Sequence, residues 1–292
     1  MNQPAPPLDP KHEKALQALI AWWEDAGIEL ETPVIRPRAS RTATPQSPTA
    51  RQTSSSGAPT REGTGAATPA ATAAAARAAG YGQPVDDGPA AQELAGKADT
   101  LDKLLQAIET FEGCALKRTA RNTVFARGSR SASIMVIGEA PGKEEDEAGA
   151  PFMGAAGHLL DRIFGSIGLD NETLYLTNIL NWRPPGNRTP TQEEVTQCLP
   201  FVERHIALKN PDYLVLVGGL SAQTLLRETT GITRLRGQWK EYTVRDESGQ
   251  PTGRTIPALP VFHPSYLLRR PPEKRLAWAD MLALDQKLSS AR

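Results

Sequence analysis

Apolar residues recur along this chain in two rhythms. Four short runs, Ser133–Ile137, Leu174–Ile179, Tyr213–Val217 and Ala258–Phe262, are nearly unbroken by polar side chains. Runs of that length bounded by turn residues read as strands covered on both faces. Between and after them, Ala155–Gly165, Gln192–Leu208, Leu220–Thr229 and Glu273–Leu288 carry apolar residues at helical spacing, and Ala98–Phe111 does so ahead of the first run. The alternation predicts right-handed crossovers and an α/β fold: a three-layer α/β/α sandwich around a central four-stranded parallel sheet. Ligands of such sheets bind beyond the carboxyl ends of the strands, so the loops after Ile137, Ile179, Val217 and Phe262 are where a site is expected.

Upstream the pattern changes. Lys11–Gly27 sets Leu16, Leu19, Ile20 and Trp23 at helical spacing, with Trp22 beside them and Gly27 as a C-cap, so residues 1–31 read as an amphipathic helix. Its apolar stripe needs a cover, either the downstream domain or a protein partner. Residues 32–95 are built from Ala, Thr, Pro, Ser, Gly and Arg, with too few large apolar side chains to offset chain entropy, and read as a disordered linker. Residues 96–292 are then a single domain large enough for a full core.

Composition changes this picture in two places. The formal net charge is zero, which by itself argues against a nucleic-acid protein. Between Thr32 and Gly80, however, Arg36, Arg38, Arg41, Arg51, Arg61 and Arg77 face only Glu62, and Arg269, Arg270, Lys274 and Arg275 form a second basic set. No apolar stretch is long enough to span a bilayer and the start, MNQPAPPLDPKHEK, has neither a basic nor an apolar signal region. The expectation is a cytoplasmic, nucleoid-associated monomer with no membrane contact. Two cysteines, Cys114 and Cys198, exclude a disulfide framework.

Three of the four loops carry chemistry. After Ile137 come Gly138-Glu139-Ala140-Pro141-Gly142 and then Gly149-Ala150-Pro151-Phe152-Met153-Gly154-Ala155-Ala156-Gly157. Glycines there let backbone approach a ligand and present N–H groups at a helix start, an arrangement suited to a nucleotide phosphate. The Gly-Lys-Ser/Thr ending of a P-loop is missing. At the carboxyl end of the second run, Asn178 can offer both a donor and an acceptor to a base edge, and Arg183 and Arg188 in the proline-stiffened segment that follows can press on a phosphate backbone. After the fourth, His263 emerges from a strand end, followed by Ser265, Tyr266, Leu267, Leu268 and Arg269, a phosphate contact and apolar wedges for a base stack. Each loop alone has a plainer reading: a generic glycine turn, a bracing asparagine, a structural histidine. Their convergence on one sheet edge weighs against all three at once.

In order and spacing, Gly-Glu-Ala-Pro-Gly, Pro-Phe-Met-Gly-Ala-Ala-Gly, Asn before Arg-Pro-Pro-x-Asn-Arg-x-Pro, and His-Pro-Ser-Tyr-Leu-Leu resemble the thermostable, iron–sulfur uracil-DNA glycosylases, family 4. The likeness runs from about Phe111 to the C-terminus. It implies excision of uracil flipped out of single- or double-stranded DNA, the first step of base excision repair. It further implies that Glu139 orients the attacking water and stabilises the cationic sugar, that Ala140 contributes its backbone, and that Phe152 stacks on the base. By the same likeness Asn178 reads the uracil edge, His263 donates to O2, and Glu145 lies near the base; Gly154, Gly157, Arg183, Arg188, Ser265, Tyr266, Leu267, Leu268 and Arg269 meet the DNA. The family holds its cluster with four cysteines, and those positions here are Phe111, Cys114, Trp182 and Cys198. Two thiolates cannot complete such a site, so no cluster and no other cofactor is expected, with two aromatics filling the space. Whether Cys114 and Cys198 pair is left open. Two other readings are a protein that traps uracil DNA covalently and a non-catalytic damaged-DNA-binding module. For the first, the nearest histidine, His158, sits on a helix face and not in a basic inserted loop.

Overall fold

The computed structural model describes residues 88–290, so the N-terminal helix and most of the linker read from the sequence lie outside the described residues. Within them, α1 (Gly88–Lys97) and α2 (Leu101–Thr110) precede a short edge strand β1 (Arg127–Gly128). Then follow β2 (Ile134–Gly138), α3 (Lys143–Ala148), α4 (Ala155–Gly165), β3 (Leu174–Asn178), α5 (Gln192–Lys209), β4 (Tyr213–Val217), α6 (Gly219–Leu226) and α7 (Ile232–Leu235). The chain closes with β5 (Lys240–Arg245), β6 (Pro251–Val261), α8 (Pro264–Arg269) and α9 (Lys274–Ser290).

Among the described residues the sheet has six strands, in the order β1-β3-β2-β4-β6-β5. The expected parallel four are its centre, β3-β2-β4-β6. The correction is at the edges, where β1 runs antiparallel to β3 and β5 antiparallel to β6. Neither edge strand was among the expected ones: β1 is two residues long, and Lys240–Arg245 alternates polar and apolar residues, the mark of a half-buried edge strand that a reading of unbroken apolar runs passes over. β6 likewise starts seven residues before the apolar run that announced it, because its first half, exposed, pairs only with β5.

Successive side chains of the central strands point to opposite faces, and each face has its own core. Met135, Ile137, Tyr175, Leu214, Leu216 and Ala258 pack against α1, α2, α5 and α6. Ile134, Val136, Leu174, Leu176, Val215, Val217, Leu259 and Val261 pack against α4 and α9. The three layers therefore follow from period-two alternation inside runs that look uniformly apolar in one dimension. α1 corrects the expected boundary at residue 96: Ala91 and Ala95 are fully buried in the first core, so the domain begins by Gly88. An alanine-rich stretch gave no amphipathic signal, yet small side chains are what close packing of α1 on α5 requires.

The order of strands decides where a ligand can sit. From β2 the chain moves outward to β3 on one side, then crosses back over to β4 on the other. Loops leaving β2 and β4 thus diverge at the sheet's switch point and open a crevice beyond the carboxyl ends. Among the described residues, no helix is long and apolar enough to cross a membrane.

Candidate active site

A cavity of about 710 Å³ occupies that crevice. All four parallel strands deliver residues to it: Glu139 and Ala140 after β2, Asn178 at the end of β3, Gly218 and Gly219 after β4, and Phe262 and His263 after β6. Glu145, Phe152, Gly154, Arg188, Ser265, Tyr266, Leu268 and Arg269 also line it.

Asn178 is 4% exposed, and its side-chain amide hydrogen-bonds to no protein group among the described residues. The amide opens onto the cavity, where it is free to pair with whatever enters. Its neighbour is the Phe152 ring. Gly138, between them, makes the pairing possible: a Cβ there would lie 2.4 Å from Asn178 Oδ1 and 2.5 Å from Phe152 Cζ. Phe152 itself has φ +57°, in the left-handed region that bulky residues rarely occupy, at a cost of about 1–3 kcal/mol. Its ring stacks toward the His263 imidazole with centroids 6.5 Å apart.

His263 caps α8. Its Nδ1 accepts the Ser265 N–H at 3.2 Å, so in the neutral ring the proton resides on Nε2, which is then a donor. Burial holds the imidazole below its usual range, partly opposed by the Glu139 charge, and so favours the neutral form. Glu139 is anchored from the opposite wall: Oε1 accepts the Leu220 N–H at 3.2 Å, at the start of α6. Gly218, with φ +102°, admits this close approach, since a Cβ there would fall 2.3 Å from Oε1. The arrangement sets a carboxylate, a neutral imidazole donor, an aromatic face and an unpaired amide around one space.

A model of the uracil DNA glycosylase superfamily matches residues 125–282, more than half of the chain. This protein belongs to that superfamily. Among relatives of this uracil DNA glycosylase superfamily member, a type-4 uracil-DNA glycosylase of Archaeoglobus fulgidus is 38% identical over 177 residues, 59% of this chain and 85% of the relative. One from Pyrobaculum aerophilum is 35% identical over 171 residues, covering 59% and 86%. One from Saccharolobus solfataricus is 32% identical over 197 residues, covering 66% and 88%.

Not every residue that the motifs suggested sits in the glycosylase-fold cavity. Leu267 is fully buried in the core beneath α8, and Leu268, 41% exposed, is the one on the cavity side. Helical geometry allows only one of two adjacent leucines to face out. Gly157 does not line the cavity either; a Cβ there would lie 1.8 Å from the Phe152 carbonyl oxygen, so its bareness lets the Phe152 turn rest on α4. Arg183 is half-buried outside the cavity and donates to Asn187 Oδ1 at 2.6 Å. Arg188 lines it but is already engaged, bidentate to Glu194 at 2.8 and 2.5 Å, where Glu194 also completes the capping box of α5. Glu145 spends its oxygens on backbone N–H groups of Gly142, Met153 and Gly154. His158 is exposed on α4 and away from the cavity. The glycine pair Gly218-Gly219, with Ile232 and Thr233, was missed. The available signal was two glycines directly after the run Tyr213–Val217.

The four positions at which the resemblance places cluster ligands lie together in the first core. Phe111, Cys114, Trp182 and Cys198 are all buried there. Phe111 stacks on Trp182 with centroids 6.4 Å apart and meets Phe201 edge-on at 5.1 Å, while Trp182 Nε1 donates to Thr123 Oγ1 at 3.2 Å. Cys114 and Cys198 are free thiols in mutual hydrogen-bond contact. An iron–sulfur centre of this kind takes four thiolates; two cysteines remain at these positions, and neither an indole nor a phenyl ring can coordinate iron, so these residues do not fit one.

Proposed function

We propose that this protein is a uracil-DNA glycosylase, a monofunctional hydrolase that cuts the N-glycosidic bond of uracil flipped out of DNA and so initiates base excision repair. The observation that carries the reading is the unpartnered Asn178 amide, buried in the same cavity as Glu139 and His263. The cavity is several times the size of a base, leaving room for the sugar and adjoining backbone.

In this reading the flipped uracil slides over the Phe152 ring. Asn178 pairs with its edge, donating to O4 and accepting from N3–H; cytosine would set an amino donor against the amide donor and be rejected. As the C1′–N1 bond lengthens, positive charge grows on the sugar and negative charge on the base. The Glu139 carboxylate stabilises the first and orients water for attack at C1′, and the His263 Nε2–H donates to O2 to stabilise the second. Water adds its oxygen to C1′, its proton passes to solvent, and uracil departs as the anion. Ser265, Tyr266, Leu268 and Arg269 meet the DNA around the cavity mouth. The chain works as a monomer on single- and double-stranded DNA, in the cytoplasm, with the arginine-rich segment of residues 32–80 adding non-specific attraction to phosphates. The apolar positions of residues 1–31 supply a contact for a protein partner or for the domain itself. Packing of Phe111, Trp182 and Phe201 takes the structural part played by a cluster, and no cofactor is needed.

The test is incubation with single- and double-stranded oligonucleotides holding one uracil, followed by alkali. Cleavage at the uracil and release of free base are expected from a colourless protein. Intact DNA with a mobility shift would mean a binding module, and a denaturation-resistant adduct a covalent trap. A brown preparation containing iron and sulfide would overturn the cofactor reading alone.

A further inference from the structure

The segment carrying Phe152 is strained, and it is tied down from three sides. Glu145 Oε1 accepts the Met153 N–H at 2.9 Å and the Gly154 N–H at 3.0 Å, and its Oε2 accepts the Gly142 N–H at 2.9 Å. One buried carboxylate thus joins the loop after β2 to both residues that follow Phe152. On the other side, Arg127 Nε donates to the Pro151 carbonyl at 2.9 Å, one residue before Phe152. Its remaining nitrogens donate to Asp161 Oδ1 at 2.6 Å and to Asn171 Oδ1, which anchors the guanidinium to α4 and the turn before β3. From below, bare Gly157 accommodates the Phe152 carbonyl.

We propose that Glu145 and Arg127 are positioning residues that hold Phe152 as a pre-formed stacking platform, and that Glu145 acts on the base through Phe152 and not by touching it. The inference rests on the glycosylase reading and deepens it. A carboxylate accepting three backbone N–H groups has three of its four acceptor sites committed to the loop, both on Oε1 and one on Oε2. A left-handed phenylalanine persists only where its surroundings over-determine it, and flanking bonds on both sides of the residue supply that constraint. The ordering cost is met on folding, before the base arrives.

The test is a double-mutant cycle in the full-length chain, reading kcat, KM and inhibition by free uracil for wild type, Glu145→Gln, Phe152→Leu and the double variant. The glutamine amide sets a donor against backbone donors, so Glu145→Gln should weaken uracil inhibition about tenfold, the worth of one charge-assisted bond. In the Phe152→Leu background the same substitution should add little, because its route to the base is already cut. Arg127→Lys, which keeps the charge but not the fork, should show the same coupling more mildly, and it serves if Glu145→Gln does not fold. Additive effects on uracil inhibition would overturn the inference. So would new activity on thymine with uracil affinity unchanged, the mark of a direct contact at the base's 5-position. A wild-type chain that releases no uracil at all would overturn the glycosylase reading itself, and this inference with it.

Discussion

Alanine at position 218 would put a methyl group where the Glu139 carboxylate lies. The added carbon would sit 2.3 Å from Oε1 and 2.9 Å from Cδ, well inside contact distance, so the carboxylate has to move by about an ångström. Moving it breaks the Leu220 N–H bond that fixes it across the sheet edge. Residue 218 must also keep φ +102°, which only glycine adopts cheaply, so stability should drop by about 1–3 kcal/mol. Complete loss of an electrostatic group costs about a hundred- to a thousandfold in rate, and misplacement by an ångström up to about a hundredfold. Gly218→Ala should therefore slow uracil release about ten- to a hundredfold. Single-turnover kinetics on a single-stranded uracil oligonucleotide measure this, with thermal melting alongside to confirm a folded protein. In a Glu139→Ala background the substitution should have no further effect on rate, since the group it displaces is gone. A folded Gly218→Ala protein with the wild-type single-turnover rate would refute the geometry of the site.

Acid should unfold the protein through His205. This imidazole is buried in the first core, 2.8 Å from the Tyr175 hydroxyl and stacked on Phe125, and burial pushes its pKa down to about 3 from 6.5. Because the folded value is the lower one, its neutral form contributes stability that is complete above pH 6.5 and is lost as pH falls toward 3, in total about 5 kcal/mol. Urea midpoints between pH 7 and 4 should fall less steeply for His205→Gln, and parallel slopes would contradict this. The two adjacent leucines should separate cleanly: Leu267→Ala should cost about 2–5 kcal/mol in a melt, whereas Leu268→Ala should melt within about 0.5 kcal/mol of wild type. Leu268→Ala should also lose more activity on double- than on single-stranded substrate, as expected of a wedge; equal losses on the two would remove it from that role.

What the one-dimensional pattern determined was the frame. Four apolar runs and the helices between them were enough for a parallel centre and for the edge on which a site must lie, because burial on both faces leaves a continuous apolar signature. Glu139, Asn178 and His263 were legible as positions as well, since each lies at or just after the carboxyl end of a central strand; Phe152, beyond α3, was singled out only by the family resemblance. The edge strands and α1 were not read: β1 is two residues long, β5 carries its apolar stripe on only Tyr242 and Val244, and a helix of small residues gives a weak stripe. Tertiary packing alone decided which candidates face the cavity. It turned Leu267 inward and Leu268 outward, committed Arg188 to Glu194 and Glu145 to three backbone groups, and brought Gly218 under a carboxylate that lies 79 residues earlier in the chain. Such partnerships join elements that meet only after the sheet has assembled. The sequence records which groups a side chain is able to bond, and the fold selects which of them come within reach.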